Sequence, residues 1–214
     1  MVRVGQGPSF CVDTTEVTRA QYQAFLDNAS ASAAGQDPRC VANVKFNNGS
    51  FSDTPGDAPA TAVDWCDALA FCKWAGKRLC GDLSGDAGDP TTTGDPTRSQ
   101  WYSACSRGGG RIYPNGNTLD DTACNTLEGS DGGGLQAVGT RTTCTGGYDG
   151  ISDMVGNAWE WTDECVGDSG APPSSCPIRG GSHRSPTFVV PCDRVYMTDP
   201  TFANDDYGFR CCAP

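Results

Sequence analysis

The sequence predicts an α+β domain built from short elements, long irregular connections and a disulfide framework. Three observations lead there. Apolar residues make up 37% of the 214 residues, while there are 28 Gly and 14 Pro, a balance that favours turns over long helices. Three segments nonetheless combine helical apolar spacing with capping residues. Thirteen cysteines are scattered from Cys11 to Cys212 without any C-x-x-C pair, which in a loop-rich acidic chain reads as disulfides and an oxidising compartment. The odd count leaves at least one thiol unpaired within the chain. The length suits one domain, taken as residues 1–214.

The elements follow in order. "PSFCV" is strand-like, and Thr18 then caps a helix whose Tyr22, Phe25 and Leu26 share a face. A polar loop over 31–59 separates it from "AVDWCDALAFCKWAGKR". There Asp64 is the cap, Trp65, Ala68, Leu69, Phe71 and Cys72 form the buried side, and Gly76 is the stop. Residues 81–96 carry acids, Gly and Thr without periodicity and read as a solvated, mobile insertion. In "TRSQWYSACSRGG", Thr97 and Gln100 have capping-box spacing and Trp101, Ala104 and Cys105 face inward. Residues 108–149 lack sustained periodicity. "YGFRCC" reads as a closing strand pinned by cysteine.

A net charge of −11 argues against nucleic acid, which needs clustered cations; it is compatible with divalent cations. No stretch approaches a membrane span, and residues 1–10 do not read as a signal peptide. The expectation is an extracytoplasmic protein (secreted, periplasmic or cell-surface) whose export signal or anchor lies outside this chain. One histidine, His183, excludes a metal site built on several imidazoles; in a polar loop it reads first as an exposed side chain.

"EVTRAQYQAFL", "VDWCDALAFCKWAGKRL", "SQWYSACSRGG", "YPNGN", "DMVGNAWEW", "RGGS" and "YGFRC" occur in the order found in the formylglycine-generating enzyme, or sulfatase-modifying factor, family. The resemblance covers Phe10 to Cys212 and implies that family's variant of the C-type-lectin-like fold: a short twisted antiparallel sheet and two or three helices. It also implies Cys72–Cys211 and Cys105–Cys192 disulfides. Spacing makes Cys124–Cys144 and Cys165–Cys176 plausible, and Cys40–Cys66 conceivable.

The family's oxidases convert a sulfatase cysteine to formylglycine with copper(I) held by two cysteines, a donor pair that suits a soft ion. Those positions fall at Ser185 and Val190, and Cys192 matches a structural cysteine, so no copper is expected. Other enzymes similar to this family use histidine-bound iron from an additional domain, for which this chain offers one histidine. The resemblance further implies calcium, in one or two structural sites. One uses Asp153, Gly156, Ala158 and Glu160; the second uses Asn125, Thr126, Asp131 and Gly133. Alternatively Glu160 pairs with a core arginine such as Arg210, and Asp153 only forms a turn.

Between "RGGS" and "GFR" lie Ser182, His183, Arg184, Phe188, Arg194, Tyr196, Phe202 and Asn204, polar and aromatic types common at recognition surfaces. Some C-type-lectin-fold proteins similar to this one diversify this segment to bind partners. The expectation is a non-catalytic binding module for a protein, peptide or glycan. The alternatives are a formylglycine-generating oxidase with an unconventional copper site, and a purely structural surface module.

Overall fold

The computed structural model describes residues 1–5, 9–28, 35–46, 55–130, 133–167 and 171–214. Among them are strands β1 (Val2–Val4) and β2 (Phe10–Val12), helices α1 (Arg19–Asp27) and α2 (Trp65–Trp74), strand β3 (Arg78–Leu79), and helix α3 (Gln100–Ser106). Strands β4 (Trp159–Trp161), β5 (Cys176–Arg179), β6 (Tyr196–Thr198), β7 (Tyr207–Phe209) and β8 (Cys211–Ala213) complete the chain. They form not one sheet but two, ordered β1-β2-β8-β3 and β6-β5-β4-β7. All pairings are antiparallel except β4 with β7, which run parallel.

Local chemistry explains the helices. The Thr18 hydroxyl accepts from the Gln21 N–H while the Gln21 side chain accepts from the Thr18 N–H, satisfying two donors that a helix start leaves open. Tyr22 and Phe25 are buried and Leu26 half-buried. Asp64 and Asp67 form the same reciprocal cap on α2, and Gly76 ends that helix region at φ +71°, where a Cβ would be strained. The cap of α3 differs from expectation. Ser99, not Thr97, accepts from the Tyr102 N–H. Thr97 is held by the Asp95 carboxylate, and the Gln100 side chain turns inward to accept from the Gly81 N–H.

The 81–96 segment is also better anchored than a solvated insertion. Thr92 is fully buried, Gly88 N–H donates to the Asp163 carbonyl at 2.6 Å, and Arg179 donates to the Thr93 carbonyl at 2.7 Å. Acids that looked like solvated charge make local turns instead, as Asp89 does with Thr91.

Apolar burial is divided between two cores. One gathers Trp65, Trp161 and Phe209 against α1 and α2; the other gathers Phe10, Trp101 and Met154 under α3. The closing segment joins them, because β7 belongs to one sheet and β8 to the other. Six disulfides reinforce the arrangement. Cys72–Cys211 and Cys105–Cys192 are present, as are Cys40–Cys66, Cys124–Cys144 and Cys165–Cys176. A sixth, Cys80–Cys212, carries no local spacing signal. A loop on the scale of the 139 residues between Cys72 and Cys211 contributes about 4–5 kcal/mol through loop entropy. Cys80–Cys212 adds less, since its neighbour has already brought both segments together. Cys11 is the free thiol, half-buried on β2.

A disulfide map under denaturing, non-reducing conditions should therefore find one alkylatable thiol, on Cys11, and a peptide joining Cys80 to Cys212. A reduced Cys192 would contradict this structure.

Candidate functional site

The segment after β5 begins with Gly180 and Gly181 at φ +83° and +75°. A methyl group on Gly181 would lie 2.7 Å from Val190 Cγ1 and 3.1 Å from Ser185 Cβ, so those two side chains meet at this glycine. Ser185 Oγ accepts from the Ser182 N–H at 2.9 Å, and Val190 packs in the second core. A hydroxyl and an isopropyl group offer copper(I) no thiolate, and the Cys192 sulfur is bonded to Cys105. Copper(I) does not fit this position.

The predicted recognition residues divide into two groups. Ser182 and His183 are interior, the latter only 8% exposed and so not the solvent-facing histidine expected. Backbone contact explains it: His183 N–H donates to the Asn157 carbonyl at 3.0 Å, with Nδ1 3.1 Å from the same oxygen. Ser182 Oγ donates to Asp206 at 2.8 Å. Arg184 is exposed and forms a two-pronged bridge to Asp205, whose carboxyl it holds below the usual range by hydrogen bonding. These two links bring 182–184 beside 205–206. Phe188, Arg194, Tyr196, Phe202 and Asn204 all reach solvent. Phe188 is 69% exposed and Phe202 50%; such large apolar exposure suits a partner surface more than a core. Tyr196 rests edge-on against Trp159, with centroids 5.1 Å apart. Behind Phe188, the Glu128 carboxylate accepts from both the N–H and hydroxyl of Thr187.

The interior holds a buried ionic centre. Arg210 Nε and Nη2 donate to the two oxygens of Glu160, each at 2.7 Å, and Trp101 Nε1 donates to Glu160 Oε2 at 2.7 Å. Arg210 Nη2 also reaches the Ser152 and Asp153 carbonyls. Glu160 therefore makes the core pair, and calcium at its carboxylate requires Arg210 to give way. Asp153 forms a left-handed turn, φ +56°, and its Oδ2 accepts from the Gly139 N–H at 2.5 Å. Gly156 and Ala158 are buried on the same loop. Glu16 completes the centre: it is buried, and neither carboxyl oxygen has a hydrogen bond among the described residues.

At the second expected calcium position, Asn125 and Thr126 are buried and Gly133 is exposed; Asp131 lies outside the described residues. Asn125 Nδ2 donates to the Gly134 carbonyl and to Asn157 Oδ1, while its buried Oδ1 has no partner among the described residues. An unpaired oxygen of that kind fits a hard cation. Asn157, not among the residues singled out from the sequence, joins two of these loops. It touches the 125–136 segment through its side chain and main chain, and the 182–185 segment through His183. Its only sequence signal is a place in "VGNAWEW".

Burial pushes the Glu16 carboxyl well up, with the Asp153 charge adding. The folded chain then binds this proton at a pH where the unfolded chain has released it, so stability falls as pH rises above the ordinary carboxylate range. In calcium-free buffer, Glu16→Gln should stabilise the protein at pH 7.5 by about 1 kcal/mol or more, the scale of one unit of raised pKa. The gap should narrow towards pH 4 in thermal unfolding. A destabilised variant at pH 7.5 would contradict the assignment.

The comparisons with known proteins agree with this architecture. Residues 2–213 match the family described as "Sulfatase-modifying factor enzyme 1-like domain". Formylglycine-generating enzyme of Bos taurus is 31% identical over 223 residues, covering 90% of this chain and 54% of that protein. "Inactive C-alpha-formylglycine-generating enzyme 2" of Bos taurus is 30% identical over 174 residues, covering 72% and 49% respectively. The chain thus spans about half the length of these relatives. The structure of PvdO from Pseudomonas aeruginosa shares the fold: TM-score 0.66 at 19% identity, over 96% of this chain and 80% of that one. The chain belongs to the sulfatase-modifying factor family and has its C-type-lectin-like α+β fold.

Proposed function

We propose that this chain is an extracytoplasmic, non-catalytic binding module of its family. It recognises a protein, peptide or glycan through the surface between Ser182 and Tyr207 and holds calcium as a structural ion. The observation that carries the reading is the meeting of Ser185 and Val190 at Gly181, where the family's oxidases keep two thiols. A relative whose name declares it inactive, at 30% identity, supports the idea that the scaffold serves without the oxidase chemistry. Six disulfides support an oxidising location, and no helix among the described residues is long and apolar enough to cross a membrane. The unpaired Asn125 Oδ1 makes its loop the better calcium candidate. At Asp153 and Glu160 calcium would first have to displace Arg210.

The rival reading, an oxidase with an unconventional thiol, draws on the 31% identity to the bovine enzyme and on the free Cys11.

The deciding experiment screens peptide and glycan arrays with the wild-type chain and with Phe188→Ala/Phe202→Ala, in calcium and in chelator. The expected result is a saturable ligand lost by about tenfold or more in the variant. Chelator should lower the melting temperature of wild type, and Asn125→Ala should remove that response. Silence across the arrays, or conversion of a sulfatase cysteine peptide to formylglycine, would overturn the proposal.

A further inference from the structure

On another part of the molecule, α1, α2, the 35–46 segment and the loop at 85–87 line an open cleft of about 540 Å³. None of its lining residues lies between Ser182 and Tyr207. Its size falls in the range of small-molecule sites. One wall is aromatic: Phe25 meets Phe46 at 4.9 Å and Trp74 at 5.6 Å between centroids. The Cys40–Cys66 disulfide and Leu69 extend that apolar wall.

The lining also carries cations, most of them already engaged. Arg39 is held by Asp37 and Asp163. Lys77 is held by Asp13 at 2.6 Å, and Lys73 donates to the Gly35 carbonyl. Arg78 is the exception. Its guanidinium makes no hydrogen bond among the described residues, its Nε–H is buried without a partner, and Asp86 acts on it only at longer range while accepting from Ser84. A methyl group on Gly85 would lie 3.5 Å from Arg78 Nη2, so the loop covers one side of the fork.

We infer that this cavity binds a small organic monoanion, with a flat apolar body against Phe25, Phe46 and Trp74 and a single carboxylate on Arg78. A buried donor left unpaired is costly, and a carboxylate satisfies the guanidinium edge bidentately. The aromatic wall accepts a ring by offset or edge contact. Three carboxylates in the same lining, Asp37, Asp86 and Asp163, oppose a second negative charge on the ligand. The chain's net charge of −11 works against non-specific anion binding elsewhere, which leaves Arg78 as a local determinant.

The test is calorimetric titration of the full chain with 2-naphthoate and with its uncharged isostere 2-naphthamide. Wild type should bind one naphthoate, and bind the amide about tenfold more weakly, the scale of a charge-assisted hydrogen bond. Arg78→Gln should bring naphthoate down to the amide's level, and Trp74→Ala should weaken both. If Arg78→Gln does not fold, Arg78→Lys, which keeps the charge without the fork, should lose naphthoate affinity severalfold. Absence of saturable naphthoate binding in the millimolar range, equal binding of acid and amide, or indifference of naphthoate to the Arg78 change would overturn the inference.

Discussion

A guanidinium removed from water must find acceptors on every side, and Arg210 does so at the point where the chain passes from one sheet to the other. Phe209 closes β7 and Cys211 opens β8, so Arg210 occupies the single residue between two sheets. Its donors reach Glu160 on β4, the turn at Ser152 and Asp153, and the Asp13 carbonyl beyond β2. Phe209 and Cys211 pack in one core and Cys212 in the other, so the two cores meet at that crossing. Such a pair is a weak source of net stability but expensive to break, because the remaining charge is stranded.

Covalent links follow the same geometry. Cys211 and Cys212 reach back to α2 and to the residue after β3, so the crossing is fixed on both sides by sulfur. Cys105–Cys192 ties α3 to the far end of the loop that carries Phe188. With regular structure so sparse, these bonds and the backbone contacts of Asn157 hold the exposed face in one shape. A surface fixed in advance loses less entropy on binding, which suits recognition by loops on a rigid frame.

Legibility in the sequence tracked how local the determining interaction is. Thr18, Asp64 and the apolar stripe of α2 act within a few residues, and they were readable. The Cys72–Cys211 and Cys105–Cys192 bonds cross most of the chain and were accessible only through family resemblance. Cys80–Cys212 had no such guide. The capping-box spacing of Thr97 does not act because Asp95, two residues earlier, competes for it and leaves Ser99 to cap the helix. His183 and Thr92 looked solvent-facing because a polar loop gives no hint that backbone carbonyls, those of Asn157 and Asp89, will hold them inside. Glu160 was ambiguous between metal and arginine since the choice depends on Arg210, fifty residues away.

The functional account stands on a substitution of chemistry within the family's fold: a hydroxyl and an isopropyl group where the family's oxidases present two thiolates, with the Cys192 sulfur locked to α3. Copper(I) competition measures this directly. The disulfide-intact chain is titrated into a copper(I)–bicinchoninate complex and the absorbance of that complex followed. The account predicts that the complex keeps its copper. Transfer of one equivalent of copper(I) to the protein would contradict it.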